Sequence, residues 1–491
     1  RRRQRWTEAL AVVESLRRSG PEPTIVSYSR AISACARGGQ WVSAVAALGA
    51  AQDEGLAADL IAHGAVVGAC EKGRHWALAL ASLNGMQDVA LERNVVVCNS
   101  AVSTAEKCGC WGVALLLLCA AVAESLVPDV ISYNAAASAA EKGERWQRSL
   151  DLLREVRIRG LLPDAITYNA AISASEKGLQ WEHALSLLRD MRAESLLPDV
   201  ITFSAAIAAS EKGRQWRRAL ALFAEMKMER IPPDLIVYNS VISACGKGQQ
   251  WERALVLIGE MLESSLLPDV ITYSAAVSAC QLGQQWAAAL ALVEQMRAQG
   301  ILPDGITCNA VISSCESGQL WDLALHVLQD MRGMRIIPDV VAYSAAISAC
   351  GRGLQWEWAL HLLADMQRRG IRPNIVAFNA AVATCDKCQR WSEALAVLQE
   401  MAQARCDPDN ISYNSAMSAC CKVAHWRRVL QLLVALRTHY LAADLGALGA
   451  ATAACAAGGC RNGVAELLEE AQCIGEGVLR SLHTVTPRLA G

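Results

Sequence analysis

Apolar and polar positions follow two superimposed periods along this chain. In AITYNAAISASEKGLQWEHALSLLRDMRAESLLPD, residues 165–199, Trp181, Ala184, Leu185, Leu188 and Met191 fall at the three- and four-residue spacing of one helix face. That spacing predicts a helix that opens near Trp181 and is stopped by Pro198, whose ring lacks the N–H a helix interior needs. Upstream, a first helix is predicted from about Tyr168 to Lys177, with Thr167 capping its amino end and Gly178 taking the left-handed conformation that ends it. The longer period is the helical pair itself. From Trp6 to Trp426 thirteen tryptophans stand 35 residues apart, and only Trp358 is out of step. Prolines keep the same register from Pro23 to Pro408, so the pair is punctuated at a fixed place.

One such hairpin cannot bury its apolar face alone, so neighbours must stack and share a continuous core. The expected fold is all-α, an α-solenoid superhelix of stacked helix-turn-helix repeats. Residues 1–24 read as a truncated repeat, with RRRQRW the polar start of its second helix rather than part of an Arg-rich targeting segment. Residues 25–444 hold twelve full repeats. Residues 445–491 read as a degenerate capping repeat and tail, where Cys455 and Gly458 keep the phase while Arg461 replaces the tryptophan.

Composition narrows the function classes. With 53% hydrophobic residues, 19% charged residues and a formal charge of −2, any basic surface must be local. No apolar run is long enough for a membrane span. Nine of the 19 cysteines, from Cys35 to Cys455, share one repeat position where other copies have Ala105, Ala140, Ser175 or Ser210. That is a small buried packing site. The pairs Cys108/Cys110 and Cys385/Cys388 have no second pair at zinc spacing, and the histidines are scattered, so no metal or other cofactor is expected.

A 35-residue unit with (V/I)(T/S)YN at its start, a central KG and a terminal PD resembles the pentatricopeptide repeat family over essentially the whole chain. Tetratricopeptide repeats, with a period of about 34 residues, would drift out of phase across so many copies. The resemblance implies a protein that binds single-stranded RNA, one base per repeat.

In that family the base is read by the fifth and last residues of each repeat. Here the pairs are Ser29/Asp59, Gly64/Asn94, Asn99/Asp129, Asn134/Asp164, Asn169/Asp199, Ser204/Asp234, Asn239/Asp269, Ser274/Asp304, Asn309/Asp339, Ser344/Asn374, Asn379/Asp409 and Asn414/Asp444. A carboxylate only accepts hydrogen bonds, which suits the imino N–H of U and G, whereas an Asn amide also donates and suits A and C. A Ser at the fifth position leaves room for a purine, and Asn reaches a pyrimidine. The implied site is roughly G-N-U-U-U-G-U-G-U-A-U-U, with Gly64 unable to read.

The second residues, Val26, Ile61, Val96, Ile131, Ile166, Ile201, Ile236, Ile271, Ile306, Val341, Val376 and Ile411, are all β-branched aliphatics. By resemblance they sandwich the bases; ordinary core at the helix entrances is the alternative. Tyr133, Tyr168, Tyr238 and Tyr273 are expected to pack inside the repeat rather than stack on RNA, because Cys98 and Cys308 replace them elsewhere. A basic stripe, Arg37, Lys72, Lys107, Lys142, Lys177, Lys212, Lys247, Arg352, Lys387 and Lys422, lies four residues before ten of the tryptophans. It suits an RNA backbone, and equally a helix C-terminus beside Glu71, Glu106, Glu141, Glu176 and Glu211.

The leading expectation is thus a sequence-selective RNA-binding protein of chloroplast or mitochondrion, acting in RNA processing, stability or translation. Partner proteins of RNA processing are compatible with that role, whereas a membrane or a small-molecule substrate is not expected. A helical scaffold for proteins is the rival, and it would not restrict the fifth and last positions to Asn, Ser and Asp. A nuclease is disfavoured, since the tail carboxylates Glu466, Glu469, Glu470 and Glu476 stand with His483 alone and metal-assisted hydrolysis needs converging ligands.

Overall fold

The computed structural model describes residues 5–19, 23–88, 91–124, 126–423, 425–438 and 445–457. Every regular element among them is an α-helix, and most are 13 residues long. The repeat at 165–199 shows why. Its first helix spans Ala165–Lys177, three residues earlier at its start than the apolar pattern predicts, because Asp164 and not Thr167 is the N-cap. Thr167 is instead the third helical residue, and it returns the favour by accepting from the Asp164 N–H to close a capping box. The second helix spans Trp181–Ala193.

The glycine between them has a different role from the one its sequence context suggests. Gly178 has φ −77° and ψ 4°, and the left-handed residue is the next one, Leu179, at φ 58°. Glycine is required at 178 because the Trp146 ring of the preceding repeat lies against it. A Cβ built there would fall under 3.0 Å from the indole, and the same holds for Gly73 with Trp41, Gly213 with Trp181 and Gly353 with Trp321. The tryptophan period and the glycine period are therefore one seam between successive repeats. Trp6 meets Gly38 in the same way, after the helix Arg5–Ser19.

The chain divides into two compact units, Arg1–Ala244 and Cys245–Gly491. In the first, the helices Ile25–Gly38, Leu60–Gly73, Val95–Lys107, Val130–Lys142, Ala165–Lys177 and Val200–Lys212 pack each on the next. In the second, Val270–Leu282, Gly305–Ser317, Val340–Arg352, Ile375–Lys387, Asn410–Lys422 and Leu445–Ala457 do the same. The second helices pack on the first helices, as Trp181–Ala193 does on Ala165–Lys177 and Val200–Lys212, and meet one another through side-chain pairs such as Arg192 with Glu225 and Arg332 with Asp365. The fold is an all-α helical-repeat solenoid. Small side chains permit the close first-helix row, with Ala136, Ala137, Ala139 and Ala140 all fully buried.

The repeated cysteines belong to that row. Cys35, Cys70, Cys280 and Cys315 are free and fully buried, Cys455 is fully buried, and burial pushes the thiols of Cys350 and Cys385 up to about 12. They are packing groups, not reactive thiols. No described helix is long and apolar enough to cross a membrane. The tail beyond 457, with Glu466, Glu469, Glu470, Glu476 and His483, lies outside the described residues.

Candidate nucleic-acid interface

Among the described residues, the last residue of each repeat is the N-cap of the next repeat's first helix. Asp59, Asp129, Asp164, Asp199, Asp234, Asp269, Asp304, Asp339 and Asp409 each accept, through Oδ1, from a backbone N–H three residues on at 2.8 to 2.9 Å. Asn94 and Asn374 cap in the same way, each at 2.9 Å. The backbone cap uses one oxygen of each of these side chains. What distinguishes Asp from Asn is the other atom: an Oδ2 that only accepts, or an Nδ2 that only donates.

The fifth residues come to these caps from 30 positions earlier. Asn134 Nδ2 donates to both carboxylate oxygens of Asp164 at 3.0 and 2.9 Å, and Asn169 does so to Asp199 at 3.2 and 3.3 Å. Asn99 with Asp129, Asn309 with Asp339 and Asn379 with Asp409 repeat the contact. The structure thus joins residues that the sequence only lists in pairs. Ser29 and Ser274 reach Asp59 and Asp304 at 2.8 and 3.2 Å, but both hydroxyls also bond a carbonyl of their own helix, Ile25 and Val270. Ser344 bonds Val340 O at 2.7 Å. These serines are buried at 5 to 8% exposure and hold to their own helix with a side chain shorter than that of Asn.

A third partner was not evident from the pairs. Thr167 Oγ1 lies 2.5 Å from Asn134 Oδ1, Thr202 Oγ1 2.5 Å from Asn169 Oδ1, and Ser412 Oγ 2.5 Å from Asn379 Oδ1; Ser132 bonds Asn99 likewise. The signal in the sequence is the recurrent Thr or Ser at the third position of the repeat. Hydrogen bonds accepted by the capping carboxylate itself favour its ionised form. Burial opposes ionisation of Asp129, yet the Ser132 N–H, the Asn99 amide and the Ser132 hydroxyl outweigh it and hold its carboxyl below the usual range. Asp409 is held down in the same way by Ser412 and Asn379.

The second residues settle one open alternative. All twelve, from Val26 to Ile411, are exposed at 54 to 69%, so they are not core at the helix entrances. Tyr133, Tyr168 and Tyr273 are fully buried and Tyr238 nearly so, as expected of packing. Burial pushes the Tyr168 hydroxyl up to about 12, and Arg157 donates to it.

The basic stripe is largely answered. Lys107, Lys142, Lys177 and Lys212 ion-pair with Glu71, Glu106, Glu141 and Glu176, each 36 residues earlier, at 2.7 to 3.1 Å. Arg352 meets Glu316 and Lys422 meets Asp386. Lys72 donates to Ala36 O at 2.8 Å, at the end of the preceding first helix, and Arg37 to Ser33 O of its own helix. Lys247 and Lys387 occupy the same register.

Other expected readers fall out as follows. Ser204 is half-buried, as are Asn239 and Asn414. Asp444 lies outside the described residues. Gly64 offers no side chain, and its neighbour His63 is buried with Nδ1 3.1 Å from Ser82 Oγ. Among the described residues no group of His, Cys, Asp and Glu is placed to hold a metal.

Three family models match the chain. One, described as a pentatricopeptide repeat domain, matches residues 186–248, 291–353 and 361–423; one described as PPR repeat family matches 233–281; and one described as PPR repeat matches 166–196 and 341–371. Together they take in about half of the sequence. No curated protein matches. The crystal structure of the pentatricopeptide repeat protein PPR10 from maize is similar in fold, at 20% identity over 97% of this chain and 72% of that one, with a TM-score of 0.54. Looser matches are PPR10 in complex with an 18-nt psaJ RNA element (18% identity, 96% and 83% covered, TM-score 0.43) and yeast Rmd9p in complex with a 16-nt target RNA (13%, 77% and 79%, 0.26).

Proposed function

We propose that this chain, which belongs to the pentatricopeptide repeat family, binds single-stranded RNA selectively, one base per repeat. One observation carries the reading: in every full repeat an exposed β-branched aliphatic stands three residues before the fifth-position reader and two after the capping residue of the preceding repeat. Single exposed aliphatics are ordinary, but twelve at one register beside a polar pair mark out slots for flat apolar rings with polar edges. In the proposed complex the aliphatics clasp each base, and the free atom of the cap and the fifth residue meet its edge.

The free atoms give the letters a physical basis. With Asn134/Asp164, an amide N–H and a carboxylate oxygen face the base, which suits the carbonyl and imino N–H of U. With Ser204/Asp234 the carboxylate remains and a purine fits, which suits G. With Ser344/Asn374 the cap uses Oδ1 and leaves the amide to donate to the ring nitrogen of A. The proposed target is about G-N-U-U-U-G-U-G-U-A-U-U, and the action is occupancy of organellar transcripts without bond chemistry. Phosphate contacts fall to the stripe from Arg37 to Lys422, through the protons its ion pairs leave free.

Binding selection on random RNA tests this. Enrichment of a motif close to that string supports it, and absence of any RNA binding removes it. A second reading, a scaffold for a protein partner, is favoured by another exposed row, Leu162, Leu197, Leu267, Leu302 and Ile337, at 69 to 86% in the loops before five of the caps.

A further inference from the structure

An asparagine side chain has one face that accepts and one that donates, and only its neighbours decide which way it points. In Asn134, Asn169 and Asn379 both faces are held: the amide nitrogen by the Asp cap, the oxygen by the hydroxyl 33 residues later. The group left toward the base is then a donor beside the carboxylate acceptor. That pattern complements U, and it opposes C, whose edge offers an amino donor beside a ring-nitrogen acceptor.

Asn309 is different. Its amide donates to Asp339 at 3.1 and 3.2 Å, but the third residue of the next repeat is Ala342, and Asn309 Oδ1 is buried with no hydrogen-bond partner. An unmet buried acceptor gains by turning outward. The sequence shows the same coupling. A hydroxyl stands 33 residues after five of the seven asparagine readers, Asn99, Asn134, Asn169, Asn239 and Asn379, with alanine after Asn309 and Asn414, but after only one of the four serine readers, Ser274.

We infer that the third residue of each repeat is a specificity-setting positioning residue for the base read by the repeat before it. A Thr or Ser there locks the preceding Asn as a donor and makes the slot reject C; an Ala releases it. This rests on the proposed RNA reading. The ninth base, facing Asn309/Asp339, is therefore read with weaker preference for U over C than the fifth, facing Asn169/Asp199.

Competition binding by the full chain tests it, with RNAs that differ only by U or C at base five or base nine. Ala342→Thr is expected to raise the U-over-C ratio at base nine by about tenfold, the factor of one hydrogen bond. Thr202→Ala is expected to lower the ratio at base five by a similar factor, and Thr202→Ser, which keeps the hydroxyl, to leave it unchanged. If Ala342→Thr leaves base nine unchanged while base five still prefers U, the lock is wrong and the RNA reading stands. If Thr202→Ser loses selectivity as Thr202→Ala does, the hydroxyl is not the agent. If the unaltered chain binds no RNA, the proposed function fails and this inference with it.

Discussion

The two units repeat one hairpin but treat their basic stripe differently. In Arg1–Ala244 four successive lysines, Lys107 to Lys212, each meet the glutamate of the preceding repeat, so charge runs along the unit as a closed ladder. In Cys245–Gly491, Leu282 and Ser317 interrupt the basic register, Arg352 and Lys422 find carboxylates, and Gly351 occupies the position from which one would answer Lys387. The helices and seam persist through both. The ladder is thus an addition to the fold, as expected of half-exposed ion pairs worth about 0 to 1 kcal/mol each. What holds the repeats is the apolar row and the tryptophan seam. The seam tolerates exceptions in both units, with Cys108 in the glycine position of the first and Cys388 and Val423 in that of the second.

That contrast can be broken at the seam first. Gly178→Val, which drives a side chain into Trp146, is expected to cost about 1 to 3 kcal/mol, whereas Val423→Gly in the other unit should change stability by about 1 kcal/mol or less. Thermal unfolding followed by circular dichroism compares them; equal losses would mean the glycine register matters for backbone conformation and not for the indole.

A reciprocal exchange between units tests the caps. Asn374→Asp should convert the tenth base from A to G, and Asp234→Asn the sixth from G to A, each with discrimination of about 1 to 3 kcal/mol by analogy with base-edge contacts in DNA readers. Both variants keep the capping oxygen, so helicity should not change. Two RNAs differing at a single base decide each case, and a retained preference would detach the cap from recognition.

Smaller effects separate the stripes. Replacing Lys142, Lys177 and Lys212 together by Gln should weaken all RNAs alike and flatten the salt dependence, by at most about 0.7 log unit per lost phosphate contact. Lys387→Gln should come nearer that limit per residue, because Lys387 has no carboxylate at the partner position to leave. Binding titrations at several salt concentrations give the slopes; equal slopes per lysine would show that the ladder does not restrain its cations.

Acid gives the smallest change. The carboxyls of Asp129 and Asp409, one in each unit, are depressed below 3.8 in the folded chain. The stability they add is therefore full above about pH 4 and lost as pH falls through the lowered value. Asp129→Asn with Asp409→Asn keeps both caps and should flatten acid unfolding below about pH 4. An unchanged profile would place the titration elsewhere.

Much of this molecule is local, and local matters are legible along the chain. Helix existence, the 35-residue unit and the buried cysteines and tyrosines follow from periodicity or register, since each repeat meets mainly its neighbours, while the proposed reading pairs came from the family resemblance laid on that register. Three things needed the folded chain, because each depends on atoms from two repeats. Thr167 looks like a cap until Asp164 is seen to supply the oxygen; Gly178 looks like a turn residue until Trp146 is seen lying on it. The second-position aliphatics read equally well as core or as surface, since an apolar side chain at a helix entrance carries no mark of what lies beside it. Stacking leaves them bare, and it brings a hydroxyl 33 residues distant to an asparagine in some repeats and an alanine in another.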